Sequence, residues 1–113
     1  MAGTFEIFSD KGGDFRFRLK AGNGETILSS QGYASKDAAM KGVHSVQANA
    51  GDASLFEANE TDGGKFRFNL KAKNHQVIGT SQNYASKAAC DNGIEAVGRA
   101  ADGAKVVDLT DEG

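Results

Sequence analysis

The chain has 113 residues, 39% of them hydrophobic, which is enough for one modest core and too many for a disordered chain. With 13 Lys and Arg against 15 Asp and Glu the formal net charge is −2, so no overall positive field draws in nucleic acid, and a polyanion would need a local patch. The lone Cys90 excludes an internal disulfide framework and a cysteine-based zinc site, and it fits a reducing compartment.

Met1-Ala2-Gly3-Thr4-Phe5 leads straight into a strand pattern, with no basic stretch followed by an apolar one. No apolar run approaches the roughly 20 residues of a membrane helix, so the expectation is a soluble, cytoplasmic protein without a secretion signal. Phe5 and Ile7 point one way and Glu6 the other, which predicts a first strand closed by a turn over Asp10 to Gly13. Next, Phe15, Phe17, Leu19 and Ala21 share a face opposite Arg16, Arg18 and Lys20. Asn23-Gly24 then signals a tight hairpin turn into a third strand, Glu25 to Ser29. Ser35 stands where a helix N-cap belongs, before a run in which Ala39, Val43, Val46 and Ala50 recur at helical spacing.

From Ser54 the pattern begins again. One constant shift carries Phe5-Glu6 onto Phe56-Glu57, Phe15-Arg16-Phe17 onto Phe66-Arg67-Phe68, and Tyr33-Ala34-Ser35-Lys36 onto Tyr84-Ala85-Ser86-Lys87. The second copy turns at Thr61 to Gly64 and again at Asn74-His75, where the expectation is Asn74 in the left-handed conformation. Its helix follows Ser86, with Cys90, Ile94, Val97 and Ala101 on the stripe. Lys105 to Leu109 repeats the bridging segment Ser54 to Asn59, and the polar tail Thr110 to Gly113 is expected to fray. Each helix also holds an Ala-to-Gly pair, Ala38 with Gly42 and Ala89 with Gly93, although glycine inside a helix costs about 1 kcal/mol. Close backbone packing between the two helices is the expected return.

A unit of this size with one helix and short strands cannot bury a stable core alone, so the halves must share one. The predicted fold is α+β: two tandem β-β-β-α(-β) repeats sharing one mainly antiparallel sheet, with both helices on one face. The whole chain, 1–113, is read as one domain, with repeat one at about 4–53 and repeat two at about 54–109.

The strand pair Phe15-Arg16-Phe17-Arg18-Leu19-Lys20-Ala21-Gly22-Asn23-Gly24-Glu25-Thr26-Ile27-Leu28, its later counterpart from Phe66 to Gly79 and the two Tyr-Ala-Ser-Lys helix starts resemble the YegP-like family of small bacterial proteins. The resemblance covers nearly the whole chain. It implies two β-β-β-α-β units in a single sheet with the final strands exchanged, and it implies no activity, cofactor or catalytic residue.

Aromatics interleaved with arginine on strands suggest single-strand RNA recognition, but there the aromatic face is bare and the other face apolar. Here the residues alternating with the phenylalanines are Arg16, Arg18, Arg67 and Asn69, which cannot form a core, so the phenylalanines must be the buried side. That leaves a solvent-facing sheet surface with Arg16, Arg18, Lys20, Arg67, Asn69 and Lys71, accompanied by Glu6, Glu57 and Glu25. Cross-strand charge pairs worth about 0.2–1 kcal/mol each account for such a ladder, and a face for an acidic partner is the competing reading.

Gln31, Tyr33, Gln82 and Tyr84, with Ser30, Ser81, Lys36 and Lys87, form a second recurring polar set at the strand-helix junctions. A Ser-x-x-Lys mechanism needs both side chains on one helix face, whereas Ser35-Lys36 and Ser86-Lys87 are adjacent and diverge. Capping and packing explain the set, and twin ligand pockets are its alternative. Cys90 lies on the buried stripe, while His44 and His75 recur in neither copy and lack a third ligand at metal spacing. The paired glycines precede strands and so make hairpins, not phosphate loops.

No catalytic residue, metal site or cofactor is therefore assigned. The leading expectation is a non-enzymatic binding or interaction module that uses the polar, partly basic sheet face toward a protein or acidic partner. A small-molecule sensor or enzyme with twin pockets at the junctions, and a weak single-stranded nucleic-acid binder, are the alternatives. No membrane association is expected, and a tandem repeat that satisfies its own two-fold packing favours a monomer.

Overall fold

The computed structural model describes residues 3–110. Strands β1 (Thr4–Ser9), β2 (Phe15–Lys20) and β3 (Thr26–Ser29) are followed by helix α1 (Lys36–Asn49). A short 3-10 turn, Ala53–Leu55, enters the second set, β4 (Phe56–Glu60), β5 (Phe66–Lys71), β6 (Val77–Thr80), α2 (Lys87–Ala101) and the last strand β7 (Lys105–Asp108). All seven strands form one sheet in the order β4-β5-β6-β3-β2-β1-β7, antiparallel except for β7 beside β1. The expected α+β architecture, with two repeats in one mainly antiparallel sheet, is what the chain adopts.

The strands form where alternation predicts. Phe5, Phe17 and Phe68 are fully buried, and burial of each contributes on the order of 2–3 kcal/mol relative to exposure. The ring packing is duplicated with the sequence. Phe5 meets Phe17 edge-on at 6.0 Å and Phe56 meets Phe68 edge-on at 5.5 Å, while Tyr33 stacks on Phe17 and Tyr84 on Phe68. In both copies the register slips near the end of the second strand, between Leu19 and Lys20 and between Leu70 and Lys71. This slip lets the adjacent Ile27 and Leu28 both reach the core, which strict alternation would forbid.

Both helices begin as expected, Ser35 Oγ accepting from the Ala38 amide and Ser86 Oγ from the Ala89 amide, each at 3.1 Å. The helix glycines serve a different purpose from the one expected. A Cβ on Gly42 would stand 2.7 Å from both the Phe17 ring and the Tyr33 hydroxyl, and one on Gly93 would collide with the Tyr84 hydroxyl. They make room for the stacked rings, not for the other helix. The helices themselves come close at Gly98, where a Cβ would lie 3.1 Å from the Ala50 carbonyl oxygen.

Two turn expectations also change. Of the Asn23-Gly24 pair expected to make a tight hairpin turn, Gly24 alone takes positive φ; the loop from Ala21 to Glu25 is wider than a two-residue hairpin, and Asn23 Oδ1 accepts from the Glu25 amide at 3.0 Å. In the second copy the left-handed residue is His75 at φ 71°, not Asn74, whose Oδ1 accepts from the Gln76 amide.

Ser29 and Thr80 occupy the same place in the two repeats and pair with each other, so the internal two-fold axis passes between them. β4, the counterpart of β1, opens the second repeat and pairs with β5, while β7 returns to the first repeat outside β1. The family resemblance implied that both units exchange their final strands, and among the described residues β7 is the one strand that crosses in this way. At the tail, the Thr110 amide and hydroxyl donate to Asp108 Oδ1 at 2.8 and 2.6 Å, and the rest of the segment expected to fray, 111–113, lies outside the described residues, as do Met1 and Ala2.

Candidate functional site

With both helices on one side, the other face of the sheet is uncovered, and the strand registers place its side chains in rows. Glu6, Arg18, Ser29, Thr80, Asn69 and Glu57 lie across six neighbouring strands, from β1 to β4. The middle of this row is neutral and its ends are charged. Thr80 Oγ1 donates to Asn69 Oδ1 at 2.9 Å, while Arg18 Nε donates to Glu6 Oε1 at 2.7 Å.

Most of the basic residues on this face already have a carboxylate. Arg16 pairs with Asp10 at 2.7 Å, Lys20 shares Glu6 at 3.3 Å, and Lys71 meets Glu57 at 3.2 Å. The Arg18 guanidinium also lies over the Phe8 ring, 4.7 Å from its centroid. Arg18 holds the Glu6 carboxyl below the usual range, and Arg16 does the same for Asp10. The arrangement is thus a cross-strand charge ladder over most of the face. Arg67 is the exception: it is exposed, and its side chain makes no hydrogen bond or ion pair among the described residues.

The four residues expected to form twin pockets separate into two groups. Gln31 and Gln82 come together at the internal axis, lining one cleft of about 370 Å³ with Ser29, Thr80, Thr26 and Val77. Tyr33 and Tyr84 are not in its walls. They pack against Phe17 and Phe68 beneath the helices, and burial pushes both phenols up. A single shared cleft therefore stands where two separate Gln-Tyr pockets were expected.

Ser30 and Ser81 are committed to the backbone. Each is buried, accepts from the amide of Phe17 or Phe68 at 2.9 and 3.0 Å, and donates to the next carbonyl, that of Gln31 or Gln82. The buried Cys90 thiol has its pKa raised by desolvation, which keeps it in the unreactive thiol form. Two residues of the face were missed in the sequence. Phe8 belongs to it by the same alternation that assigns Glu6, while Asn83 is visible only as the counterpart of Gly32, a position where the copies differ.

The model of a family described as a domain of unknown function, DUF1508, matches residues 10–57 and again 62–108. The chain belongs to the DUF1508 family. Each DUF1508 match begins at the first hairpin turn of a repeat and ends on β4 or β7, so the unit is two strands, a helix and a closing strand, with β1 placed ahead of the first. Among curated relatives, a UPF0339 protein encoded in the ptx operon 5′ region of Stutzerimonas stutzeri is 56% identical over 109 residues, which cover 96% of this chain and 98% of that one. The UPF0339 protein YegP of Escherichia coli K12 is 50% identical over 97 residues, covering 86% and 88%. Among solved structures, the solution structure of a UPF0339 protein from Shewanella oneidensis superimposes with a TM-score of 0.92 at 46% identity, covering 99% of this chain and 95% of that one. The solution structure of the E. coli protein does so with 0.93 at 46%, covering 100% and 97%. These relatives bear out the resemblance read from the strands and helix starts, and none of their names states an activity.

Proposed function

We propose that this chain is a non-enzymatic binding module that acts in the cytoplasm as a monomer and presents the uncovered face of its sheet to a ligand or partner. The observation that supports this most is the uncovered face itself, whose polar row spans six strands and contains open clefts at the axis and beside Arg67. Because Arg16, Arg18, Lys20 and Lys71 already pair with the chain's own carboxylates, the face suits a small or mixed-charge ligand better than an extended acidic polymer. Base stacking by Phe17 and Phe68 is excluded by their burial.

A second reading, a small-molecule sensor, is favoured by the convergence of Gln31 and Gln82, which offers two carboxamides to one ligand on the axis. Amide chemical-shift titration of the labelled protein with pooled metabolites and short oligonucleotides tests both. The expected result is saturable shifts at Ser29, Gln31, Arg67, Asn69, Thr80 or Gln82. Shifts confined to the helix side, or none with either pool, would remove the proposal.

A further inference from the structure

The two repeats part company around the first arginine of their second strands. In repeat one Arg16 Nε donates to Asp10 Oδ2 at 2.7 Å and its Nη1 to the Ser30 carbonyl at 3.3 Å. The other carboxylate oxygen, Asp10 Oδ1, accepts from the Gly12 and Asp14 amides at 2.9 and 3.0 Å, which fixes it on the hairpin. The repeat shift places Thr61 where Asp10 stands, Asn59 for Phe8, Asn69 for Arg18 and Asn83 for Gly32. Arg67 has thus lost the carboxylate of its counterpart and stands among three carboxamides. Together with Thr61 these residues line an open cleft of about 460 Å³, and Glu60 and Asp62 also line it.

We propose that this cleft binds a small zwitterionic carboxylate of the amino-acid class, its carboxylate taking on Arg67 the place that Asp10 takes on Arg16. The proposal rests on the open-face reading above and names one ligand class for one part of it. Repeat one supplies the template, since the same strand arginine in the same fold already holds a carboxylate there at hydrogen-bond distance. Guanidinium and carboxylate match in geometry as well as charge, and the Asn carboxamides can donate and accept around the rest of the ligand. Glu60 and Asp62 set the second requirement: they repel polyanions and favour a ligand that carries a cation beside its carboxylate.

The test is an amide chemical-shift titration with a panel of free L-amino acids, with acetate and inorganic phosphate as comparison anions. At least one amino acid is expected to shift Arg67, Asn69 and Asn83 saturably, more strongly than either comparison anion. Thr61→Asp installs in repeat two the carboxylate that repeat one already carries on the same hairpin, so it should fold and weaken that binding about tenfold or more. Arg67→Gln should do the same from the other side, whereas Arg16→Gln should leave the titration unchanged. Binding that survives both Thr61→Asp and Arg67→Gln, or an equal response to acetate and phosphate, would overturn the proposal. A panel that leaves Arg67 unmoved also overturns it, while metabolite shifts at Gln31 and Gln82 would still uphold the broader open-face reading.

Discussion

The turn after β5 shows how one residue departs from its repeat for a physical cost. His75 sits at φ 71°, a region in which a side chain costs roughly 1–2 kcal/mol, where its counterpart Gly24 sits at φ 86° without that cost. His75→Gly is therefore expected to raise stability by about 0.5–1 kcal/mol, the gain being reduced by the greater freedom of glycine in the unfolded chain. Urea denaturation at neutral pH measures it, and an unchanged or lowered midpoint would contradict the account. At Ser30 and Ser81 the copies agree instead, because the Phe17 and Phe68 amides are buried and would lose their hydroxyl acceptors. Arg67 belongs at this scale too. Its ladder position was legible from alternation, but the loss of its partner became visible only once Arg16 and Asp10 were found in contact.

Among the elements, the helices combine a legible start with a glycine whose reason lay elsewhere. The N-cap serines and apolar stripes follow from local rules, since capping and helical period involve neighbours only a few residues apart. What Gly42 faces is a ring stack built from β2 and the segment after β3, contacts distant in sequence. Gly42→Ala would gain about 1 kcal/mol of helix propensity and lose about 1–3 kcal/mol to overpacking, so a net loss of about 1 kcal/mol is expected. Adding Tyr33→Phe to that variant removes the hydroxyl in the way and should recover part of the loss, as thermal unfolding of the two variants would show. If Gly42→Ala were instead stabilising, the ring stack would not be what holds the glycine there. Edge strand β4 is short and carries Glu57 and Glu60, features that discourage edge-to-edge pairing.

Over the whole molecule, duplication produces near symmetry, and the axis is one place where symmetry fails. Leu28 and Gly79 are counterparts that meet across it, and a Cβ on Gly79 would lie 2.7 Å from the Leu28 side chain, so a second leucine does not fit. Another asymmetry is β7, which covers β1, whereas among the described residues no strand lies beside the outer edge of β4. The last strand is tied to the start of α1 by Lys36 Nζ and Asp108 Oδ2 at 2.7 Å, and Lys36 with Thr110 holds the Asp108 carboxyl at about 2 against an ordinary 3.8. A lowered folded-state pKa stabilises above the unfolded value and is lost as pH falls through the folded one, so this contribution is full above about pH 4 and fades toward pH 2. Replacing Lys36 by Met should move the Asp108 pKa up toward 3.8, read by carboxyl NMR titration, and an unmoved value would assign the shift to Thr110 alone. Strand faces, the tandem repeat, the caps and the family could all be read from the order of residues, because alternation, helical period and turn chemistry are local and the repeat displays each twice. Which strand lies beside β1, and whether Gln31 and Gln82 form two pockets or one, depend on how segments distant in sequence meet, while the carboxylate that Arg67 lacks shows only in the contact Arg16 makes with Asp10 over the first hairpin, so the folded chain alone decides all three.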